Sequence, residues 1–517
     1  SASIGATTST TGSAITLAGG NDLVHATLNY TGSINVSAGS VLQVGGGDWS
    51  ELNMSGSVVS TSAVALPGTA VFTFSGNAEG VYNISSTINH TGSAVGVLFD
   101  GSSEGTATFS GTSKIFDTSS GANGAIVKLP SIGPTQGTGS LAFTGGNLKI
   151  TTASGAGFSA STFGAGTISV SGTGNTITTG TGTALKLGDA TAVVAGATGA
   201  TVGADGIKFD TISTNGAATG ISLNNVSGGA IDLGAVDLQG ITGTGVQVSG
   251  TLGSTLDFHS LNIGIAASAT NAVGLDLNGA ALGTSTITAD DFDVDGGNST
   301  GSLGIDMAGT TTTGTGKIQL GDLLNNNPGP AGQTSTITKV AQGVQFSSAT
   351  NARLVFGDGG SPAESKIETF GNGQVIHATD TLPTSGDYNF NDVNFSGDTS
   401  NLSSYKVYYV TADATALGDG SLLNPGTYTN AQASTANVIV LIDKNVDGGQ
   451  ATIDLGGTSF QLDDGQVLLA FKSDDAAVDV SQLGVDTSAG ASAAFHFTTV
   501  QNSPIIAAPA GIDTLRP

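Results

Sequence analysis

The residues best suited to chemistry in this sequence are three aspartates of one short segment. Asp291, Asp293 and Asp295 alternate with apolar residues, and Gly296 follows them. Aspartate at alternate positions before a glycine matches the first half of a calcium-binding loop, and Ca²⁺ prefers about six to eight hard oxygen ligands. The closing glutamate of such a loop is missing, since Ser302 stands in its place. The sequence predicts no cofactor that the protein requires. It predicts calcium as a metal ion that these three aspartates bind.

A simpler interpretation of the same segment is a β-strand. Alternate aspartates would then form the solvent face, with Phe292 and Val294 turned inward. Two weaker acidic groups, at residues 443–448 and 463–465, favour turns. The tandem glycine-rich nonapeptide of calcium-roll proteins does not occur, so that class is disfavoured.

Catalytic chemistry has little support in the sequence. Glycoside hydrolysis needs carboxylates brought together in space, and a lyase would need a Lys or Arg base near calcium. The 13 basic residues do not cluster, the five histidines lie far apart, and Trp49 is the one tryptophan that could stack on a sugar. We therefore predict that the protein is not an enzyme, with a β-helical polysaccharide hydrolase or lyase as the alternative.

Charge and composition exclude several classes of partner. The net charge is −26, which leaves no basic patch to neutralise phosphates, so the sequence predicts no nucleic-acid partner. No stretch reaches 18 apolar residues, so it also predicts no membrane-spanning helix. Cysteine is absent, which excludes disulfides and thiolate metal sites.

The amino-acid composition is unlike that of an ordinary globular domain. Glycine numbers 81, aromatic residues are 5% and charged residues only 10% of the chain, well below the usual quarter. Disorder is disfavoured because 38% of the residues are hydrophobic and the mean hydropathy is +0.16. The apolar residues recur in short alternating runs, which is typical of β-strands.

A short phrase of glycine, apolar, any, apolar recurs along the chain. In its later part the phrase begins at Gly220, Gly245, Gly274, Gly304, Gly343 and Gly373. The intervals are 25, 29, 30, 39 and 30 residues, and the 39-residue interval contains a loop-like insertion at residues 325–330. Self-similarity at such a period indicates a repeat architecture.

The fold class predicted from this repeat is all-β, a right-handed parallel β-helix (β-solenoid) with coils of roughly 25–30 residues. Two or three short strands would form each coil, and coils would stack at about 4.8 Å. The hand follows from the usual hand of parallel crossovers. A narrow core between the strands predicts small and branched side chains there, and not Trp or Tyr.

The repeat changes along the chain, which predicts several regions. Residues 1–380 form the parallel β-helix, with residues 1–80 as less regular coils, and residues 381–403 form a linker. Residues 404–500 form a second β-rich unit or a restarted β-helix, and residues 501–517 form a tail. The second region contains a Gly-Asp-Gly-Ser turn and a proline at residues 418–425, like the opening of many parallel β-helix domains. The start at Ser1 falls within the pattern, which indicates a mature product or a fragment.

Residues from about 80 to 490 resemble the β-helical repeat regions of large bacterial surface proteins, namely autotransporter passengers and haemagglutinin-like adhesins. The resemblance rests on repeat style and composition. It implies export, display on the bacterial cell surface, and adhesion or assembly.

We predict an extracellular structural or adhesive surface protein, a rigid β-solenoid spacer or passenger that presents a binding surface. The alternatives are a self-assembling surface-layer or filament subunit and the polysaccharide-active enzyme. The predicted partners are other surface proteins, a host or neighbouring cell surface, or copies of the chain itself. The predicted localisation is extracellular, on the bacterial cell surface.

Overall fold

The protein is described by a computed structural model. It covers residues 7–9, 13–18, 27–47, 51–63, 70–100, 103–129, 139–162, 165–188, 199–313, 316–321, 335–357, 365–371, 373–380, 387–390, 393–398, 407–410, 438–442, 452–454, 467–471, 494–497 and 505–507. All regular elements in these ranges are β-strands, and none of these residues belongs to a helix that could span a membrane. The chain divides into two compact units, Ser1–Ser285 and Thr286–Pro517.

Three parallel ladders run through the first unit, and each strand pairs with its counterpart one coil later. Ladder 1 contains Thr27–Tyr30, Glu51–Met54, Val81–Ile84, Thr106–Phe109, Ser140–Phe143, Ile168–Val170, Ala200–Lys208 and Ile231–Asp232. Ladder 2 contains Thr7–Ser9, Ile34–Val36, Ser57–Ser60, Thr87–His90, Lys114–Asp117, Leu148–Thr152, Thr176–Thr179, Thr211–Asn215 and Ala235–Ile241. Ladder 3 contains Ser13–Ala18, Ser40–Gly47, Phe72–Ala78, Val97–Phe99, Ile126–Lys128, Phe158–Ala160, Leu185–Leu187, Thr219–Gly228, Thr244–Gly253 and Val273–Asp276.

Some strands of the first unit continue around a corner into a second ladder. Leu256–Ile265 pairs with Ile231–Asp232 of ladder 1 and then with Ala235–Ile241 of ladder 2. Ala200–Lys208 likewise pairs with both Ile231–Asp232 and Thr219–Gly228. The short strand Ala281–Gly283 pairs with Thr244–Gly253. Three strands per coil confirm the predicted parallel β-helix, while its right hand stays a prediction.

The second unit is built from parallel strands in the same way. Its first strand, Thr286–Asp295, pairs with Lys317–Leu320 along its first half and with Thr336–Val340 along its second half. Arg353–Phe356 and Asp387–Phe390 continue the first of these ladders, and Ser365–Thr369 and Val393–Ser396 continue the second. A third ladder contains Leu303–Asp306, Gln342–Phe346 and Ile376–Ala378, and the short strand Thr311–Thr312 bridges to Asn351. Asp387–Phe390 and Val393–Ser396 lie within residues 381–403, the segment predicted as a linker.

The remaining strands of the second unit form two smaller parallel sheets. The larger contains Val407–Val410, Val438–Ile442, Val467–Phe471 and Ala494–Phe497, and the smaller contains Thr452–Asp454 and Ile505–Ala507. Equivalent residues of the larger sheet lie 31, 29 and 27 positions apart, from Val407 to Val438, Val467 and Ala494. A similar coil length therefore returns in the region predicted as a second β-rich unit. The predicted turn at residues 418–425 lies outside the described residues.

Coil length varies more than the sequence predicts. In the first unit one coil step ranges from 24 residues, between Thr211 and Ala235, to 37 residues, between Val170 and Ile207. Every step of 32 residues or more there spans residues 130–138 or 189–198, which lie outside the described residues. The predicted length of roughly 25–30 residues therefore fits the other coil steps of this unit, which are 24–31 residues long. The predicted insertion at residues 325–330 also lies outside the described part of the chain.

The recurring glycine phrase marks the start of ladder 3. The residue before the first inward side chain is Gly96, Ala125, Gly157, Ala184, Gly220, Gly245 and Gly274 in successive coils of the first unit. In these coils glycine or alanine suits a position at which the next coil lies close, whereas the two coils before them have Val41 and Val71 there. A Cβ atom on Gly220 would lie 2.8 Å from both the Gly245 carbonyl oxygen and Leu238 Cδ1.

The core of the first unit is more aromatic than the sequence predicts. Tyr30 and Tyr82 are fully buried, so the expectation of a core without tyrosine is wrong. The Tyr30 hydroxyl donates to the Ser33 carbonyl oxygen at 3.1 Å, and the Tyr82 hydroxyl accepts from the Gly80 N–H at 3.0 Å. Both hydroxyls therefore bond turn backbone while the rings fill the interior, as buried tyrosine requires.

Candidate functional site

The three aspartates predicted to bind calcium lie on the strand Thr286–Asp295 of the second unit. Phe292 and Val294, between them, are buried, which confirms the alternation of faces predicted from the sequence. Asp293 pairs in register with Thr336, and Asp295 with Thr338. The strand conformation therefore places all three aspartates away from the apolar core.

Two of these carboxylates already have protein partners. The Thr336 hydroxyl donates to Asp293 Oδ1 at 2.5 Å, and Lys339 Nζ lies 2.7 Å from Asp295 Oδ2. Although burial alone would raise it, the bonds from Lys339 and from the Gly297 N–H hold the pKa of Asp295 below its ordinary value. Lys339 thus occupies the place beside Asp295 that a cation would take, and calcium binding at this segment stays a prediction.

Asp291 is in a different electrostatic state. Burial, with a smaller contribution from the negative charge of Asp293, raises the pKa of Asp291 to about 6. A carboxylate that is ionised at neutral pH against such an environment destabilises the folded state, because the unfolded chain solvates the charge better.

We predict that D291N stabilises the protein near neutral pH. The pKa of Asp291 is higher in the folded than in the unfolded chain, so protonated Asp291 contributes to the free energy of unfolding. This contribution is complete below the pKa of the unfolded chain and is lost as the pH rises through about 6. At about pH 7.5 the variant should gain about 1–2 kcal/mol after allowance for solvent screening. Denaturant unfolding followed by far-UV circular dichroism measures the gain. It should vanish near pH 3.5, and an equal gain at both pH values would contradict the prediction.

The same variant tests calcium. If the three aspartates hold Ca²⁺, about 1 mM calcium should raise the unfolding midpoint of the wild-type protein and should do so less for D291N. Equal responses of the two proteins would count against a calcium site at this segment.

A second group of side chains, in the first unit, was not predicted. Among the described residues, ligand atoms of Asp232, Asp257 and His259 lie within 4.8 Å of one another. Asp232 and Asp257 are register partners in successive coils, and His259 follows on the same strand as Asp257. Asp232 and Asp257 are 25 residues apart, which equals one coil. This spacing was the signal in the sequence that could have identified the group.

The chemistry of this group is limited by a neighbouring lysine. Two carboxylates and an imidazole suit borderline transition metals. Lys208 Nζ, however, lies 2.5 Å from Asp232 Oδ2, and His259 Nε2 lies 3.6 Å from Asp232 Oδ1. The hydrogen bond and the charge of Asp232 raise the pKa of Lys208 above its ordinary value. Asp232 is thus held by a cation of the protein, and the His259 side chain is 58% exposed.

The remaining acidic candidates, at residues 443–448 and 463–465, lie outside the described residues.

No protein-family model matches this chain, and comparisons with curated proteins and with solved structures also find no match. The fold defines the protein as a parallel β-solenoid. Its function is argued from that fold and from the residues on its surface.

Proposed function

We propose that the chain is an extracellular structural and adhesive protein of a bacterial cell surface. In this proposal the β-solenoid coils form a rigid spacer, and their outward side chains form the surface that contacts a partner. The observation that carries the proposal is the register along ladder 2 of the first unit, which stacks polar side chains in a column from Asp117 to Asn262.

One such column crosses six successive coils. Its members are register partners with polar outward side chains: Asp117, Thr151, Thr178, Ser213, Asp237 and Asn262. The Ser213 hydroxyl donates to Thr178 Oγ1 at 3.3 Å, and the Asn262 amide donates to Asp237 Oδ1 at 3.2 Å. Hydroxyl, amide and carboxylate groups repeated at about 4.8 Å can form hydrogen bonds with a polar partner along the ladder.

Hydrogen bonds between successive coils support a rigid element. An amide stack runs along ladder 1, where Asn53 donates to Asn29 at 3.0 Å and Asn83 donates to Asn53 at 2.9 Å. Each strand within a ladder is bonded to the coils before and after it, so bending the stack would break many bonds at once. Such a stack suits a spacer better than it suits a hinged or loop-based device.

The composition supports the extracellular part of the proposal. The net charge of −26, the absence of cysteine and the abundance of Gly, Ser and Thr belong to the composition on which the resemblance to exported β-helical repeat regions rests. High negative charge also keeps a protein soluble and disfavours nonspecific association.

Surface display is tested on intact cells of the source organism. An antibody raised against the purified chain should label intact cells, and brief protease treatment of those cells should remove the label. Labelling that requires permeabilised cells, with the protein resistant to protease until lysis, would contradict the proposal.

The spacer is tested by a distance measurement within the first unit. The chain has no cysteine, so the substitutions V59C and A235C introduce two unique sites for spin labels. These positions are six rungs apart on the outward face of ladder 2. At about 4.8 Å per rung the labels should be about 29 Å apart, and a pair at Val59 and Thr211 about 24 Å apart. Pulsed electron resonance should give narrow distributions that differ by one rung. Broad or indistinguishable distributions would exclude a rigid spacer.

A further inference from the structure

Lys114 is a lysine whose side chain lies entirely inside the first unit. It begins the strand Lys114–Asp117 of ladder 2, at a position occupied by Ile88 one coil earlier and by Leu148 one coil later. The exposed fraction of Lys114 is 0%. An ammonium group therefore stands where the neighbouring coils have an apolar side chain.

Three backbone carbonyl oxygens surround the Lys114 ammonium. Its Nζ atom lies 2.6 Å from the oxygen of Gly111, 2.9 Å from that of Thr144 and 2.6 Å from that of Gly146. Gly111 belongs to the turn before Lys114, whereas Thr144 and Gly146 belong to the corresponding turn of the next coil. The ammonium therefore joins two successive coils through their backbones.

The geometry suits the charged form of the side chain. An ammonium has one N–H donor for each of the three carbonyl oxygens at 2.6–2.9 Å, whereas a neutral amine has only two. Burial lowers the pKa of Lys114, whereas the three carbonyl dipoles favour the ammonium. The next turn contains Gly145, Gly146 and Asn147 with positive φ, and this left-handed run shapes the backbone that faces Lys114.

A neutral side chain has the corresponding role two coils later. Asn175 directly precedes Thr176, the register partner of Lys149, and the Leu148 N–H donates to Asn175 Oδ1 at 3.0 Å, so Asn175 lies beside Leu148. Its amide nitrogen donates to the carbonyl oxygens of Ser171, Gly172 and Lys208, at 3.4, 3.1 and 3.0 Å. The corner between ladders 1 and 2 thus turns carbonyl oxygens inward in more than one coil. The bonds to Lys114 are shorter, as expected when the donor is charged.

We propose that the carbonyl oxygens of Gly111, Thr144 and Gly146 form a cation site for a primary ammonium group, which the chain fills with its own Lys114. The site stabilises the stack without a cation from solution. Its ligand class is a small monovalent cation with three N–H donors on one face. This proposal does not depend on the proposed surface function.

The test removes the tethered ammonium and supplies a free one. K114A should lower the thermal unfolding midpoint of the full chain by at least about 5 °C, because three buried acceptors lose their donor. Methylammonium chloride at about 0.1 M should restore a large part of the loss, since binding to the folded state alone stabilises it. Tetramethylammonium chloride, whose cation has no N–H donor, should not restore the unfolding midpoint of K114A. The midpoint of the wild-type protein should respond equally to both salts.

Two further variants keep the proposal testable if K114A does not fold. K114Q keeps two amide donors without the charge, and it should fold and remain less stable than the wild-type protein. K114M fills the space with an apolar chain and should not respond to methylammonium. A K114Q protein as stable as the wild type, or equal effects of the two salts on K114A, would overturn the proposal.

Discussion

Replacing Gly245 with valine is expected to lower the free energy of unfolding of the first unit by about 3 kcal/mol. A Cβ atom at this position would lie 2.6 Å from the Gly274 carbonyl oxygen and 2.7 Å from Ile263 Cγ2. Ordinary contact between such atoms requires about 3.5–4.0 Å, so the backbone of one coil would have to move away from the next. The denaturant midpoint, followed by far-UV circular dichroism, measures the loss.

The control for this prediction lies on a neighbouring strand of the same ladder. Ser222 points outward, between Lys186 and Gln247 of the adjacent coils, so S222V should change stability by less than about 0.5 kcal/mol. G245A should fall between the two, since alanine adds the Cβ atom without the branches. Equal midpoints for G245V and S222V would mean that ladder 3 is not packed as described.

The glycine ladder also shows what the sequence could predict. The repeated phrase located ladder 3, because strands with inward apolar residues must recur once per coil. It does not account for every coil, because alanine replaces glycine in two of them, where Ala125 and Ala184 occupy the close position. A glycine required by a turn and a glycine required by a close contact look the same in a sequence. The contact depends on the neighbouring coil.

The candidate sites show the same division between local and distant information. Alternation along the strand of Asp291 correctly predicted that Phe292 and Val294 are buried. It could not reveal that Lys339, 44 residues beyond Asp295, neutralises that carboxylate. Such a partner depends on the length of the coil step, and the step here includes residues outside the described part of the chain.

Average composition concealed the packing of the core. Aromatic residues are only 5% of the chain, which favoured an interior of small side chains. Several of them are instead gathered in the core of the first unit, where consecutive coils bury a connected set of rings: Phe72, Phe74, Tyr82, Phe99, Phe109, Phe116, Phe143 and Phe158. A solenoid core can therefore change in character from coil to coil, because each coil packs mainly against its neighbours.

Phe109 lies at the centre of this aromatic set, and F109A is expected to cost about 3–5 kcal/mol. Its ring stacks on Phe143 with centroids 4.9 Å apart and meets Phe72 edge-on at 5.3 Å. The alanine variant loses both contacts and leaves a cavity that the bonded strands on either side cannot close. F109L keeps most of the volume and should cost less than about 1.5 kcal/mol. Denaturant unfolding of the two variants measures the difference.

The region that F109A destabilises distinguishes a solenoid from an ordinary globular core. If each coil depends mainly on its neighbours, F109A should increase amide hydrogen exchange in the strands between Phe72 and Ala160. The strands from Ala235 to Asp276 of the same unit should exchange as in the wild-type protein. Equal loss of protection in both regions would mean that the first unit unfolds as one cooperative body. The spacer would then depend on every coil, so that one weak core position would loosen the whole unit.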